Sequence, residues 1–254
     1  MSMYVVSLLS VLGGVAFAAL LGRFLGQEQR LASVEFNGQA LSLIGGVLLS
    51  SFILLTGFQV AGAWSALSTA RSRTYDEARA LGDTYWAAGG LADADRVKVR
   101  ALLRQYTADV RTVEFPDLAH GHTSPEAWRA LDRVRAAVGA AAPAPSHQSA
   151  KSAATTALAT VYETRTDRAA EVKGGMPRIT WIALLVAGGF LVAFPPVLGL
   201  TATARHLVAL CFVGAAIAFA ICLTAQLNHA FQHPFGVRDT AFTFAESRFH
   251  QMDG

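Results

Sequence analysis

The chain has 254 residues, of which 53% are hydrophobic and only 15% are charged. Soluble domains average about 25% charged residues, so this composition argues against an ordinary soluble protein. The formal net charge of +3 is small and is spread along the chain. Such a mild positive charge is typical of membrane topology rather than of nucleic-acid binding, so no nucleic-acid partner is predicted.

Four long apolar runs predict transmembrane helices. A helix needs about 20 apolar residues to cross about 30 Å of hydrocarbon. Each run lacks Asp, Glu, Lys, Arg and His, and one arginine at a helix centre would cost about 2.5–3.5 kcal/mol. The predicted spans are residues 4–22, 40–63, 179–200 and 207–227.

The end of the third run contains Pro195 and Pro196. A proline lacks the backbone N–H and disfavours helical geometry in the residue before it. We therefore expect the regular helix to stop or kink there. Residues 197–204 would then form a short apolar hairpin into the fourth span.

The four spans group into two hairpins that flank a long polar segment. The predicted organisation is a transmembrane hairpin over residues 1–64, a helical domain over 65–176, a second hairpin over 177–228 and a tail over 229–254. The predicted fold is all-α: an integral membrane protein with four transmembrane helices and a helical bundle inserted between spans 2 and 3.

The distribution of basic residues predicts the orientation. Four spans place both termini and the central domain on one side of the membrane. Near the span ends, the basic residues of that side are Arg71, Arg73, Arg165, Arg168, Lys173, Arg178, Arg238 and Arg248. Those of the opposite side are Arg23, Arg30 and Arg205. Because basic residues mark the cytoplasmic side, we expect cytoplasmic termini and a cytoplasmic central domain in the cell membrane.

Apolar spacing predicts four helices in the central domain. The first covers about residues 66–86, and its inward face is Leu67, Ala70, Thr74, Ala78, Leu81 and Tyr85. The second begins at Asp93 as N-cap and stops before Pro116. Its predicted buried residues are Val99, Leu102, Tyr106, Val110 and Val113.

The third helix of the domain has an equally clear start. Ser124 and Pro125 are typical of an N-cap followed by the first helical residue. The inward residues of this third helix are Trp128, Leu131, Val134 and Val138. The fourth helix covers about residues 150–172.

No motif in the sequence predicts catalysis or a cofactor. His120 and His122 form the only close histidine pair and have no third ligand nearby. His229 and His233 have helical spacing, but Pro234 interrupts the segment. We therefore predict no metal site, no cofactor and no enzyme activity.

The second span has a stripe of small and weakly polar residues. At about 100° per residue, one arc carries the stripe and the opposite arc is bulky and apolar. The stripe contains Ser42, Gly45, Gly46, Leu49, Ser50, Ile53, Thr56, Gly57 and Val60. Two interpretations are open: close packing between helices, or the lining of a pore formed by several copies, with hydroxyl groups and apolar constrictions.

Short motifs outside the spans carry a family resemblance. They are Glu77-Ala78-Arg79-Ala80-Leu81, Arg100, Tyr106, Val110, Glu114-Phe115-Pro116, Arg165, Arg168, Pro177, Trp181 and His233-Pro234-Phe235-Gly236. With the order of spans, they resemble the bacterial bestrophin-like family of multi-pass membrane proteins. The chain departs from that pattern at Phe115, where Trp is commoner, and at Asn228, where the family tends to carry Asp.

The resemblance implies kinship with bestrophins, which are pentameric anion channels whose second span lines the pore. No acidic calcium clasp has a counterpart here, so no calcium site is implied. The leading hypothesis is a homo-oligomeric channel for small inorganic ions in a lipid bilayer. Its predicted pore-lining residues are Ser42, Gly46, Leu49, Ser50, Ile53, Thr56 and Gly57. The alternative is a non-conducting scaffold that binds a protein partner through its cytoplasmic helices.

A basic cytoplasmic mouth would accompany such a pore. Arg71, Arg73 and Arg79 follow the second span closely. Positive charge at a pore entrance raises the local concentration of anions. The prediction is therefore a weak preference for anions.

Overall fold

The structure is a computed structural model that describes residues 8–10, 12–17, 19–20, 38–142, 145–172, 174–197, 204–231 and 236–254. Within these ranges the chain is helical and contains no strand. It divides into two compact units. We call Met1–Trp64 with Gly175–Asn228 the apolar unit, and Ser65–Gly174 with His229–Gly254 the polar unit.

The described helices are numbered in chain order. They are α1 (Gly38–Ala88), α2 (Asp93–Asp109), α3 (Phe115–Leu118), α4 (Pro125–Ala140), α5 (Gln148–Val172), α6 (Arg178–Val197), α7 (Ala204–Leu227) and α8 (Thr240–Asp253). A π-helical turn, Val110–Glu114, joins α2 to α3, and a 3-10 turn, Pro145–His147, precedes α5.

Three described helices are long and apolar enough to cross a membrane. They contain the segments Ser42–Ala88, Arg178–Pro195 and Ala204–Leu227. Of the first predicted span, residues 4–22, the structure describes 8–10, 12–17 and 19–20, and these are helical. Three of the four predicted spans are thus present as long apolar helices.

The apolar unit has a small core and a wide apolar surface. Its buried residues are Phe52, Leu184, Leu191, Val192, Leu210 and Ile217. Large apolar side chains such as Leu43, Phe58 and Phe212 are at least 70% exposed. An apolar surface of this extent is what lipid requires of a membrane-embedded surface.

Small residues allow two apolar segments to approach closely. A Cβ added to Gly14 would lie 2.5 Å from the Cβ of Ala218 and 2.6 Å from the carbonyl oxygen of Gly214. Gly214 and Ala218 are one turn apart on α7. Small residues at helical spacing allow this kind of close packing between membrane helices.

Helix α6 ends at Val197 in the described part of the chain, directly after Pro195 and Pro196, and the expected stop or kink at these prolines stays a prediction. The predicted hairpin over 197–204 lies mostly outside the described residues.

The polar unit has one apolar core. The predicted inward face of α1 is confirmed, because Leu67, Ala70, Thr74, Ala78, Leu81 and Tyr85 are all buried. In α4, Leu131, Val134 and Val138 are buried as predicted, while Trp128 is half-buried. Helix α8 belongs to the same core and buries Ala241, Phe242, Ala245 and Phe249.

The second helix of this unit differs from its prediction at both ends. Ala92, rather than Asp93, is the N-cap, and Asp93 lies in the first turn, where an acidic side chain suits the helix dipole. At the other end the chain stays helical past Pro116 to Leu118.

A π-helical turn explains the second difference. The Phe115 N–H donates to the carbonyl oxygen of Val110, five residues earlier. A turn with an extra residue absorbs the N–H missing at Pro116 without ending the helix. It also brings Glu114 to the buried face and leaves Val113 38% exposed, so the predicted burial of Val113 is wrong.

Candidate functional site

The stripe on α1 faces away from the core of the apolar unit. Helix α1 packs inside this unit through a different face, which includes Leu48, Phe52 and Gln59. The predicted pore-lining residues Ser42, Gly46, Leu49, Ser50, Ile53 and Gly57 are exposed, and only Thr56 is half-buried.

Two of the three glycines of the stripe make no close contact within the described part of the chain. A Cβ added to Gly46 or Gly57 would have no heavy atom within 4 Å, whereas one added to Gly45 would lie 3.1 Å from the Phe194 ring. Gly46 and Ser50 also line an open groove along α1. Among the described residues, packing therefore accounts for Gly45 but not for Gly46 and Gly57.

Two polar groups lie at the edge of the stripe. Gln59 is only 7% exposed, and its Nε2 donates to the carbonyl oxygen of Thr180 over 3.1 Å. The Oε1 of Gln59 and the Oγ1 of Thr56 have no hydrogen-bond partner among the residues that the structure describes. Together they add two acceptor oxygens to an otherwise apolar face of α1.

The three arginines predicted at a cytoplasmic mouth differ in their surroundings. Nη1 of Arg73 pairs with Oδ2 of Asp167 over 2.7 Å, and both side chains are about 40% exposed. Arg71 and Arg79 are exposed and have no ion-pair partner within the described ranges. At about 100° per residue Arg71 and Arg79 lie about 80° apart around α1. Of the three predicted arginines, Arg71 and Arg79 are therefore the two whose charge no described acidic side chain neutralises.

Asn228 stands where the resembling family tends to carry Asp. Its Oδ1 accepts a hydrogen bond from the N–H of Met176 over 2.7 Å. Met176 lies two residues before the start of α6. An aspartate oxygen accepts the same bond, so this contact does not depend on the amide.

The polar unit contains a cluster of buried charges that was not predicted from the sequence. We call Glu77, Glu114, Arg165 and Arg168 the charge quartet. Each of its side chains is at most 2% exposed. Two carboxylates therefore balance two guanidinium groups inside the core.

The hydrogen bonds of the quartet join three parts of the chain. Arg165 donates to both carboxylate oxygens of Glu114, over 2.6 Å and 2.9 Å. Arg168 donates to Glu77 over 2.6 Å and to Glu114 over 2.8 Å. Charge-assisted bonds of this length are the strong class of hydrogen bonds. They tie α1, the π-helical turn and α5 together.

Aromatic residues complete the surroundings of the quartet. The Tyr106 hydroxyl donates to Glu77 over 2.5 Å and accepts from Arg165 over 2.8 Å. The guanidinium carbon of Arg165 lies 4.5 Å from the Trp128 ring centroid, and that of Arg168 lies 5.7 Å from Phe115. These ring contacts favour cations in a desolvated site.

Burial and neighbouring charges shift the pKa values of Glu114, Arg165 and Tyr106. Burial alone would raise the pKa of Glu114, but Arg168 and Arg165 outweigh it and hold that pKa below its usual value. Burial also opposes the charge of Arg165, yet Tyr106, Glu114 and Glu77 raise its pKa. The pKa of Tyr106 is raised well above its usual value, first by burial and then by Glu77. At neutral pH Glu114 and Arg165 are thus charged and Tyr106 is neutral.

The sequence held one signal for this cluster. Glu77, Tyr106, Glu114, Arg165 and Arg168 all belong to the motifs that carry the family resemblance, and the fold brings them together. Arg165 and Arg168 are also two of the basic residues on which the predicted orientation rests. Because both are buried in ion pairs, they do not contribute to that bias.

Histidines do not form a metal site in the described part of the chain. Nδ1 of His120 lies 2.8 Å from the carbonyl oxygen of Pro116, and His122 is exposed. Gly121 between them adopts a φ of 81°, which favours glycine. The described residues contain no group of three or more metal-binding side chains, and His233 lies outside them.

Comparison with known proteins identifies the family. The family model for the bestrophin-like domain matches residues 8–242. The chain belongs to the bestrophin-like family. The resemblance carried by the short motifs is thereby confirmed for nearly the whole chain, and the family is membrane-embedded.

Solved bestrophin structures share the fold of this bestrophin-like chain. Two variants of a bacterial bestrophin homologue from Klebsiella pneumoniae are 12% identical to it, with TM-scores of 0.69 and 0.70. The similarity covers 95% and 96% of this chain and 98% and 99% of those chains. No functionally curated protein matches the sequence.

Proposed function

We propose that this bestrophin-like chain is one subunit of a homo-oligomeric ion channel in the cell membrane, with the stripe on α1 facing the pore. The observation that carries the proposal is the exposure of Ser42, Gly46 and Ser50 beside a separate, packed face of the same helix. Family membership supports it. In a ring of subunits, one face of α1 packs within the chain and another is left for the axis.

The topology belongs to the same proposal. We place four spans in the bilayer, with residues 4–22 as the first, and both termini and residues 65–176 in the cytoplasm. The basic residues Arg71, Arg178 and Arg238 near span ends support this orientation. Leu49 and Ile53 would form apolar constrictions between the hydroxyl groups of Ser42, Ser50 and Thr56.

A weak preference for anions follows from the charge near the cytoplasmic end. Arg71 and Arg79 are exposed, while the charge of Arg73 is offset by Asp167. Reversal potentials in a chloride gradient test this sign. We expect Arg71→Gln with Arg79→Gln to move the reversal potential toward zero, and Arg73→Gln to change it less.

Cysteine accessibility in planar bilayers tests the pore-lining assignment. In a background with Cys211→Ala and Cys222→Ala, we expect Ser50→Cys currents to fall by more than half when a charged thiol reagent is added. Phe58→Cys is the matched control, because Phe58 is exposed on the bulky apolar arc of α1. Its currents should not respond to the reagent.

The outcomes separate the two hypotheses. The absence of current at any salt or pH, together with a monomeric particle, contradicts a channel and favours the scaffold. If the thiol reagent reduces the currents of Phe58→Cys but not those of Ser50→Cys, the protein is a channel, and the proposed orientation of α1 is wrong. If the currents are carried by cations and chloride does not pass, only the proposed preference for anions is wrong.

A further inference from the structure

Three side chains of the polar unit surround the carboxylate of Asp253. The Tyr85 hydroxyl donates to its Oδ2 over 2.5 Å, and Nη1 of Arg100 donates to its Oδ1 over 2.9 Å. Arg104 pairs with the same carboxylate and also donates to the Tyr85 hydroxyl over 2.6 Å. We call Tyr85, Arg100 and Arg104 the oxyanion cradle. Its donors converge on a single anionic group.

The cradle is held rigidly by its surroundings. Tyr85 is fully buried, and its ring stacks on that of Phe249 with the centroids 4.2 Å apart. The guanidinium carbon of Arg100 lies 4.6 Å from the Tyr85 ring centroid. A Cβ added to Gly89 would lie 2.8 Å from Nη2 of Arg100, so glycine leaves room for this guanidinium. The donors are therefore in place before any ligand arrives.

The charge of the cradle exceeds that of its occupant. Two guanidinium groups face one carboxylate, and neither Arg100 nor Arg104 has another acidic partner within the described residues. The Nε of Arg100 is buried and has no hydrogen-bond partner in the same part of the chain. One positive charge and one buried N–H donor are thus left over. A phosphate group carries close to two negative charges and three or more acceptor oxygens, and it matches this surplus better than a carboxylate does.

We propose that Tyr85, Arg100 and Arg104 form a binding site for a doubly charged oxyanion of the phosphate class, and that Asp253 is an internal ligand which this anion displaces. The ligand is a phosphate group, free or on a lipid headgroup. Displacement would release the last turn of α8.

The rest of α8 has its own anchors. Arg111 pairs with Asp239 over 3.1 Å and also with Glu246. Phe242 is fully buried. None of these three anchors involves the cradle. We therefore expect the start of α8 to stay docked when the Asp253 carboxylate leaves.

Phosphate binding by the full chain in detergent tests the proposal. Asp253→Asn keeps the shape of the internal ligand but removes its charge. We expect inorganic phosphate, followed by titration calorimetry, to bind this variant at least about tenfold more tightly than the wild type, since the competitor is weakened. Adding Arg104→Gln should reduce that affinity by about tenfold, because one charged donor is lost. The matched control is Glu246→Gln, which removes a carboxylate from the same helix outside the cradle and should leave wild-type affinity.

Hydrogen exchange gives a second measurement on the unmodified chain. Phosphate, compared with sodium chloride at equal ionic strength, should speed exchange at residues 249–253 and leave 240–245 unchanged. Nanodiscs with phosphatidic acid in phosphate-free buffer distinguish a lipid headgroup from free phosphate as the source. Equal phosphate affinity in Asp253→Asn with and without Arg104→Gln overturns the site. Exchange that responds to neither phosphate nor the anionic lipid overturns the displacement.

Discussion

Nε of Arg168 lies 2.6 Å from Oε2 of Glu77, and both side chains are at most 2% exposed to water. The two residues are 91 positions apart in sequence, on α5 and α1. A pair of charges this deeply buried is stable only while both members are present, because each alone would be left in a medium that solvates it poorly. The polar unit therefore depends on the charge quartet for its folding.

Removal of one member of the quartet should destabilise the protein strongly. We expect Arg168→Gln to lower the free energy of unfolding by about 3–5 kcal/mol, since Glu77 and Glu114 would each lose a guanidinium partner in a buried site. Chemical unfolding of the full chain in detergent measures this. Arg73→Gln is the control, because it breaks an exposed pair between the same two helices and should cost at most about 1 kcal/mol. Equal losses in the two variants would contradict the role of burial.

Acid should weaken the polar unit through Glu114. Its pKa is lowered in the folded state, so its contribution is present above the unfolded-state pKa of 4.5 and is lost as the pH falls through the lower, folded-state pKa. We expect the unfolding free energy to drop below about pH 4.5. Unfolding curves from pH 7 to pH 3 test this. Glu114→Gln, which cannot titrate, should show a shallower drop than the wild type.

The Tyr106 hydroxyl should matter at neutral and at alkaline pH. Tyr106→Phe removes hydrogen bonds to Glu77 and Arg165 and should cost about 1.5–3 kcal/mol. Because the folded-state pKa of Tyr106 is raised, the wild type should lose stability as the pH rises above 10, and the variant should lose less. Unfolding between pH 8 and pH 11 measures both effects. The exposed Tyr75, changed to Phe, is the control and should change neither.

Packing in the apolar unit should be sensitive to one methyl group at Gly14. A Cβ there would meet Ala218 and the backbone of Gly214 at 2.5–2.6 Å, so Gly14→Ala should destabilise by about 1–3 kcal/mol. The neighbouring Gly13 has open space, and Gly13→Ala should be tolerated. Thermal unfolding of both variants in the same detergent compares them. A lower midpoint for Gly13→Ala than for Gly14→Ala would contradict this contact.

The docking of helix α8 should depend on Phe249 but not on Phe244. Phe249 is 1% exposed and stacks on Tyr85, so Phe249→Ala should lower the free energy of unfolding by about 3–5 kcal/mol. Phe244 is 61% exposed, and Phe244→Ala should change it by no more than about 0.5 kcal/mol. Chemical unfolding, with hydrogen exchange of residues 240–253, measures both. If α8 is equally protected from hydrogen exchange in the two variants, Phe249 is not the residue that docks this helix.

Apolar spacing was sufficient to predict most of the polar unit. The inward face of α1 from Leu67 to Tyr85 and the start of α4 at Ser124 are as predicted, because both depend on local periodicity and capping. Ser124 accepts a hydrogen bond from the N–H of Ala127, as an N-cap residue should. Local patterns of this kind do not require knowledge of distant parts of the chain.

The charge quartet could not be predicted in the same way. Periodicity assigns charged residues to solvent. Glu77, Glu114 and Arg168 are buried because each finds an ion-pair partner 54 to 91 residues away. Pairing over such distances leaves no trace in local spacing. For the stripe on α1, the sequence predicted its existence and left two uses open. Among the described residues, the Phe194 ring explains the small size of Gly45, and no neighbour explains that of Gly46 and Gly57.

The π-helical turn from Val110 to Glu114 holds one residue more than an ordinary α-helical turn. Deleting Thr112 would remove that extra residue and leave the following helix in nearly the same orientation relative to α2, because a π turn accommodates its additional residue within the turn. Glu114 would stay close to its buried face, whereas Pro116 would lie in an unbroken α-helix, where its ring meets the carbonyl four residues earlier at a cost of about 3 kcal/mol. The inserted residue is therefore what allows one helix to carry both this proline and a buried carboxylate.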